Sequence, residues 1–275
     1  MDLNQFKVEK LSQHLYRIVD ALDVACYLVV GEKAACLLDT CTGVGNIRAC
    51  VESITQLPLT VVLSHAHMDH CGGAGWFDYV WMCHSELPIL QIHGDLSYRC
   101  SFFSSHLGLD LREEDFLPVP RETYLDIQED MVLDLGGVTV ELIQSPGHTP
   151  GMICPLICED RALIIGDACD DNVLLFDKFS STVGEYQTQL QKLKDRSEQY
   201  AHIYGNHGVF AFPAALIDNV LACCQSILDH TDAHIPVQML GAQMYSSCPI
   251  GADTLRLDGK PGNVLYSEEK VIREK

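Results

Sequence analysis

Ser64-His65-Ala66-His67-Met68-Asp69-His70 decides how this chain is read. Three imidazoles and one carboxylate fall within six residues, directly after the apolar run 59–63. In an extended segment, residues two apart point the same way, so His65 and His67 can grip one ion. A turn after them aims Asp69 and His70 at a neighbouring point. Gly72 and Gly73 follow, and residues without a Cβ let backbone segments approach closely. Imidazole together with carboxylate suits Zn, Fe, Mn or Co. The alternative, a polar surface loop, sits poorly with three histidines placed behind a buried strand.

Three more positions follow short apolar runs and have glycines beside them. They are His148 in Ser145-Pro146-Gly147-His148-Thr149-Pro150-Gly151, Asp167 in Ile164-Ile165-Gly166-Asp167-Ala168, and His207 in Ile203-Tyr204-Gly205-Asn206-His207-Gly208. Each is a weak signal alone, because a single histidine is more often structural. In this order, behind the first cluster, they form a specific set.

These four segments resemble the metallo-β-lactamase superfamily, and most closely its binuclear glyoxalase II-like and lactonase-like branch. The resemblance runs from the first strands to about His207. It implies an α/β fold, a four-layer αββα sandwich with the metals at the mouth between two sheets. It also implies His65, His67 and His148 on a first divalent ion, Asp69, His70 and His207 on a second, and Asp167 bridging both. Zinc is the expected metal, with iron or manganese as alternatives. Asp39, in Leu38-Asp39-Thr40, matches a carboxylate that supports the ligands from behind. Its alternative reading is a turn residue at a hairpin end.

Departures from the pattern narrow the branch. The β-lactamase subclass with a cysteine ligand has Cys at the position of Asp167 and Arg at that of His70. Flavo-diiron proteins have Glu at the position of His67. The superfamily's nucleases carry a second domain or extra motifs that are not evident here. Glyoxalase II holds glutathione with basic residues in its C-terminal part, whereas this chain has no Lys or Arg at 197–255.

The rest of the chain agrees with a single enzyme domain over 1–275. Its 275 residues are 47% apolar, enough for a sizeable core. The net charge of −20, from 38 acidic and 18 basic residues, repels nucleic acid and anionic membranes. A small-molecule acyl substrate is expected, with neither nucleic acid nor membrane as partner. The N-terminus shows no basic, then apolar, leader pattern, and no apolar run is long enough to span a bilayer. Thirteen cysteines without a disulfide framework read as buried thiols in the cytoplasm, and the adjacent Cys223 and Cys224 as helix core.

Periodicity and turn signals predict strands at 24–30, 34–38, 59–63, 80–83, 131–133, 138–143, 152–157, 162–165 and 202–204. Helices are predicted at 46–54, 85–93, 185–200 and 213–230, with a C-terminal strand pair at 254–257 and 264–266. Residues 94–123 differ in texture, and read as an inserted lid or homodimer contact with a short helix weakened by Gly108. Phe102 and Phe103 there, with Phe176 and Phe179, are candidate substrate-pocket walls; the alternative is that they pack the insert onto the body. His14, His84, His93, His202, His230 and His234 read as structural or surface residues, with His106 a lesser substrate-site candidate.

The resemblance implies hydrolysis of an ester-like acyl bond in a thioester, lactone or ester. Two ions would share an activated water, and Asp69 would act as the catalytic proton shuttle. The rival readings are β-lactam hydrolysis, a mononuclear iron persulfide dioxygenase, and a non-catalytic module with a structural metal.

Overall fold

The computed structural model of the chain describes residues 4–119 and 124–271. Pro120 and the last residues of the expected insert, with the first residues of the stretch read for a leader, lie outside them. Four strands open the chain: β1 (Lys7–Lys10), β2 (Leu15–Val19), β3 (Ala25–Val30) and β4 (Ala35–Leu38), each antiparallel to the next. The expected hairpin around Gly31-Glu32-Lys33 is the β3–β4 connection. β4 is buried at every position and β3 at all but its last, which is why both read as continuous apolar runs.

Helix α1 (Ile47–Ile54) starts at Asn46, whose side chain accepts from the Ala49 N–H at 2.9 Å. It crosses over to β5 (Leu59–Val62), which lies parallel to β4, a pairing that needs such a connection. The one-turn helix α2 (Met68–Cys71), β6 (Val80–Met82), α3 (Leu87–His93), α4 (Leu96–Leu107) and β7 (Tyr124–Asp126) follow. The sheet runs in order from β1 to β7 and is parallel from β4 onward. Ligand-bearing loops in such sheets sit at the carboxyl ends of parallel strands. Asp39 follows β4 there, and the histidine cluster follows β5.

The chain continues through β8 (Val132–Asp134), β9 (Thr139–Gln144), β10 (Ile153–Ile157), β11 (Ala162–Ile164), β12 (Val173–Leu175), α5 (Val183–Asp195), β13 (His202–Tyr204) and β14 (Ala211–Phe212). It ends with α6 (Ala215–Leu228), β15 (Ile235–Met239), β16 (Ala242–Ser246) and β17 (Val264–Tyr266). A second sheet has the order β14-β13-β11-β10-β9-β8 and a third the order β12-β17-β16-β15. The chain divides into two compact units. One comprises the residues up to Ile143 with Pro155–Asp160 and Asn206–Gly208; the other comprises Gln144–Cys154, Arg161–Gly205 and Val209 onward.

Two expectations are corrected. Helix α5 stops at Asp195, and residues 197–199 form a separate 3-10 turn. Residues 254–257 are not a strand: Thr254 has a left-handed φ of 64°, and only an isolated Ile250–Arg256 bridge forms. The hairpin β15–β16 was not expected. Its two-residue turn is Leu240-Gly241, both at positive φ (51° and 76°), which twists the strands correctly but lacks the usual Asn-Gly or Asp-Gly signal. Among the described residues, no helix is long and apolar enough to cross a membrane.

Candidate metal centre

The cluster is built in the first unit by the end of β5 and the single turn of α2. His65 and His70 are fully buried. His67 has an extended ψ of 148° and starts α2, and its carbonyl accepts the N–H groups of His70 and Cys71. The turn is clamped to the chain after β4. Thr40 donates its N–H and its hydroxyl to the His70 carbonyl, each at 2.8 Å, and Gly72 donates to the Cys41 carbonyl at 3.1 Å. A Cβ on Gly72 would lie 2.2 Å from the Thr42 carbonyl oxygen, so only glycine allows this approach.

Asp39 organises the ligands from beneath. Its carboxylate, 2% exposed, accepts the Ser64 N–H at 2.7 Å, the Ser64 hydroxyl at 2.8 Å and His70 Nδ1–H at 2.9 Å. The Asn206 amide adds a fourth, longer donor at 3.4 Å. Because His70 spends its Nδ1–H on Asp39, its Nε2 presents a lone pair. Ser64 spends its own proton on Asp39, so at 3.0 Å it accepts from His65 Nδ1, and His65 Nε2 also presents a lone pair. One carboxylate thus fixes the tautomer of two histidines. Asp39 sits at φ 65°, a strained conformation kept where surrounding structure demands it.

The lone pairs converge. His70 Nε2 lies 3.2 Å from His207 Nε2, and His207 Nε2 lies 3.4 Å from Asp69 Oδ2. The ligand atoms of Asp69, His70 and His207 all fall within 4.8 Å of one another. Two donor atoms held tetrahedrally at about 2.05 Å from one ion stand about 3.3 Å apart. The observed edges match that spacing, and the donor set of two imidazoles and a carboxylate fits a divalent cation. In the same unit, His65 Nε2 lies 3.1 Å from His67 Nδ1. The side chains of His207 and Asp69 are 33% and 31% exposed, so the set is open on one side, as a site that receives a ligand must be.

The second unit prepares its own pair by the same means. His148 donates Nδ1–H to the Leu174 carbonyl at 3.1 Å, leaving Nε2 as a lone pair 3.7 Å from Asp167 Oδ2. Asp167 sits in a 3-10 turn directly after β11. The Tyr186 hydroxyl holds that turn by donating to the Ala168 carbonyl at 2.7 Å.

A family model for the metallo-β-lactamase superfamily matches residues 19–198. The chain belongs to that superfamily. The human protein named acyl-coenzyme A thioesterase MBLAC2 is 27% identical over 191 residues, covering 62% of this chain and 68% of its own. YobT of Bacillus subtilis is 31% identical over 156 residues, covering 53% of this chain and 61% of its own. Among solved structures, a metallo-β-lactamase from Pontibacter korlensis aligns with a TM-score of 0.58 at 16% identity, over 80% of this chain and 99% of its own. A β-lactamase domain protein from Burkholderia ambifaria aligns with a TM-score of 0.57 at 21% identity, over 82% and 73%. The fold is therefore the α/β metallo-β-lactamase fold, and the chain is a hydrolase of this superfamily with a His and Asp set suited to divalent metal.

Several residues of this metallo-β-lactamase site gave little sequence signal. Glu86 is fully buried, and its carboxylate accepts the Ala66 N–H at 2.9 Å, holding the loop between His65 and His67. Arg99, also fully buried, reaches from α4 to donate Nη2–H to the carbonyls of Thr42 at 2.7 Å and Gly72 at 3.2 Å. Burial pushes its guanidinium below the ordinary value. His93 lies over His67, with ring centroids 4.6 Å apart, in keeping with the structural reading of this residue. Glu86 ends a 3-10 turn and Arg99 lies on α4, and only the fold reveals what each faces.

Of the two readings of Phe103, pocket wall and packing, its surroundings are those of the packing one. It is 2% exposed, stacks on Phe116 at 5.8 Å, and packs with Val44, Met68 and Leu111. Met68 belongs to the ligand turn, so the insert helix packs onto the metal loop. Gly108 ends that helix in the left-handed conformation at φ 65° and does not weaken its middle. Phe102 is half-buried and stacks on the exposed His106 at 4.3 Å. Phe176 and Phe179 are half-buried in the second unit.

Proposed function

We propose that this chain is a binuclear metal-dependent hydrolase that cleaves an acyl thioester. Lactones and oxygen esters belong to the same chemical class. The observation that carries the reading is the convergence of His70, His207 and Asp69 at ligand-edge distances, with the histidine tautomer set by Asp39. His65, His67 and His148 would hold one ion, Asp69, His70 and His207 the other, and Asp167 both. Zinc is the metal we propose. The relative named as an acyl-coenzyme A thioesterase favours the thioester among the acyl substrates.

Two divalent ions, when bound, supply a water of lowered pKa and an electrophile for the carbonyl oxygen. The chain's own residues do the rest. Asp39 and the Leu174 carbonyl keep the imidazoles in the tautomer that binds. Asp69, part-exposed beside His207, would take a proton from the attacking water and return it to the leaving thiolate. The acidic surface and the lack of Lys or Arg at 197–255 suit a substrate of little negative charge, and a cytoplasmic setting suits the thiol-rich composition.

Elemental analysis of the purified chain, with a panel of thioester, lactone, ester and β-lactam substrates, tests the reading. Close to two zinc ions per chain with thioester turnover is expected. A single firmly held iron with oxygen uptake on persulfides overturns it, as does preferential β-lactam turnover.

A further inference from the structure

All thirteen cysteines are thiols in the structure, and most are buried, among them Cys26 and Cys41, which share a hydrogen bond wholly inside the core. Cys223 and Cys248 differ. Their sulfurs touch at 3.6 Å, although 25 residues separate them in sequence. Cys223 lies on α6 and is 3% exposed. Cys248 follows β16 and is half-buried, so it is the more exposed residue of the pair. The sequence offers the neighbouring Cys224 as a companion, but that side chain is fully buried in the core.

The surroundings hold the pair in register. Cys248 donates its N–H to Asn263 Oδ1 at 3.1 Å, and its carbonyl accepts the Ser246 hydroxyl at 2.6 Å. Arg256 is gripped by Asp258 through two N–H donors, at 2.9 and 2.6 Å. That leaves Nη1 aimed at Cys223 Sγ, 3.5 Å away, and at the Gly262 carbonyl, 2.8 Å away. A fixed cation beside two touching thiols favours loss of one proton and sharing of the other.

We infer that Cys248 and Cys223 form a peroxide-reactive dithiol site, with Cys248 as the attacking sulfur and Cys223 as the resolving one. The roles follow from exposure. A small hydroperoxide reaches Cys248, while Cys223 waits behind it. The Cys248 thiolate attacks a peroxide oxygen; the S–O bond forms, the O–O bond breaks, and the departing alkoxide or hydroxide takes up a proton. Cys223 then attacks the sulfenic sulfur. The S–S bond forms, the S–O bond breaks, and the leaving hydroxide takes the Cys223 proton as water. Two thiols are oxidised by two electrons, and one hydroperoxide is reduced to an alcohol, or to water, plus one water.

Ionisation agrees with the geometry. Burial pushes Cys50 up to about 11 and Cys71, Cys154 and Cys224 up to about 12. Cys248 is drawn down to about 6, by the hydrogen bond from Cys223 first and by the Arg256 guanidinium as well. Cys223 moves up, through the hydrogen bond it shares with Cys248 first and through burial as well.

The purified full-length chain, with its metals bound, is treated with one equivalent of hydrogen peroxide, blocked with a maleimide and mapped by peptide mass spectrometry. The expected first product is a Cys223–Cys248 linked peptide. C223S should stall at Cys248 sulfenic acid, seen as a dimedone adduct. C248S should consume peroxide about tenfold more slowly, the gain expected of a thiolate over an ordinary thiol. Oxidation of other cysteines before this pair, or a C223S protein whose Cys248 takes no dimedone, overturns the inference. If C223S fails to fold, C223A replaces it, and the map of the unaltered chain decides in either case.

Discussion

His70 donates its Nδ1–H to Asp39 across 2.9 Å, inside a region where the two side chains are 0% and 2% exposed. A hydrogen bond this buried has no competing water, so it sets the tautomer of His70. The same carboxylate acts on His65 through Ser64.

Replacing Asp39 by Asn tests that relationship without disturbing the backbone, because Asn tolerates the left-handed conformation seen at φ 65°. The amide has one acceptor oxygen for the Ser64 N–H, the Ser64 hydroxyl and His70 Nδ1–H. At least one of the three loses its partner. D39N should fold but bind divalent metal about 10–100-fold more weakly, as outer partners of metal ligands do. Competition with a fluorescent chelator reads this directly. Unchanged affinity would mean that the metal, and not Asp39, selects the tautomer.

Glu86 supports the other half of the ligand loop by accepting the buried Ala66 N–H. E86L removes every acceptor there, and the orphaned donor should cost about 1–3 kcal/mol of stability. E86Q retains one oxygen acceptor and should lose less than half as much. Urea unfolding of the metal-free proteins separates this effect from ligation. Equal losses in the two variants would show that the charge of Glu86, and not its oxygen, is what the loop requires.

The strand-end positions of the ligands were readable because each ligand follows a short apolar run and is flanked by glycine. Nothing comparable announced Glu86 or Arg99. Glu86 lies in the stretch read as a helix at 85–93 and Arg99 in the insert, and their partners are backbone groups 20 to 57 residues away. Backbone partners leave no mark on the sequence. The β15–β16 hairpin escaped for a related reason. Its turn, Leu240-Gly241, departs from the usual residues, and β15 is exposed at three of its five positions, so no apolar alternation betrays it.

The insert gives two phenylalanines opposite fates. Phe103 fills a core that includes Met68 of the ligand turn, so F103A opens a cavity and should cost about 3–5 kcal/mol. Phe102, half-buried against His106, should cost much less when truncated. If Phe102 lines the acyl path, kcat/KM of the unaltered enzyme should rise with acyl chain length by up to about fourfold per methylene. F102A should flatten that rise without releasing metal. A rise that survives F102A assigns Phe102 to surface packing, and a stable F103A would remove the insert from the support of the metal loop.

The net charge of −20 distinguishes among thioester substrates. An acyl-coenzyme A carries phosphates, and the protein's field repels them at low ionic strength. A neutral thioester of the same acyl chain, such as one of N-acetylcysteamine, feels no such field. Added salt shortens the Debye length from about 30 Å at 0.01 M to about 10 Å at 0.1 M, which screens the repulsion. For the coenzyme A thioester, kcat/KM should therefore rise with salt, through KM and not kcat, because the field acts on encounter. For the neutral thioester it should stay flat. The absence of Lys and Arg from 197–255 removes the local cations that would reverse this sign there. A coenzyme A thioester whose kcat/KM falls with salt would reveal a basic patch that grips its phosphates. Such a patch would lie among the basic residues outside that segment.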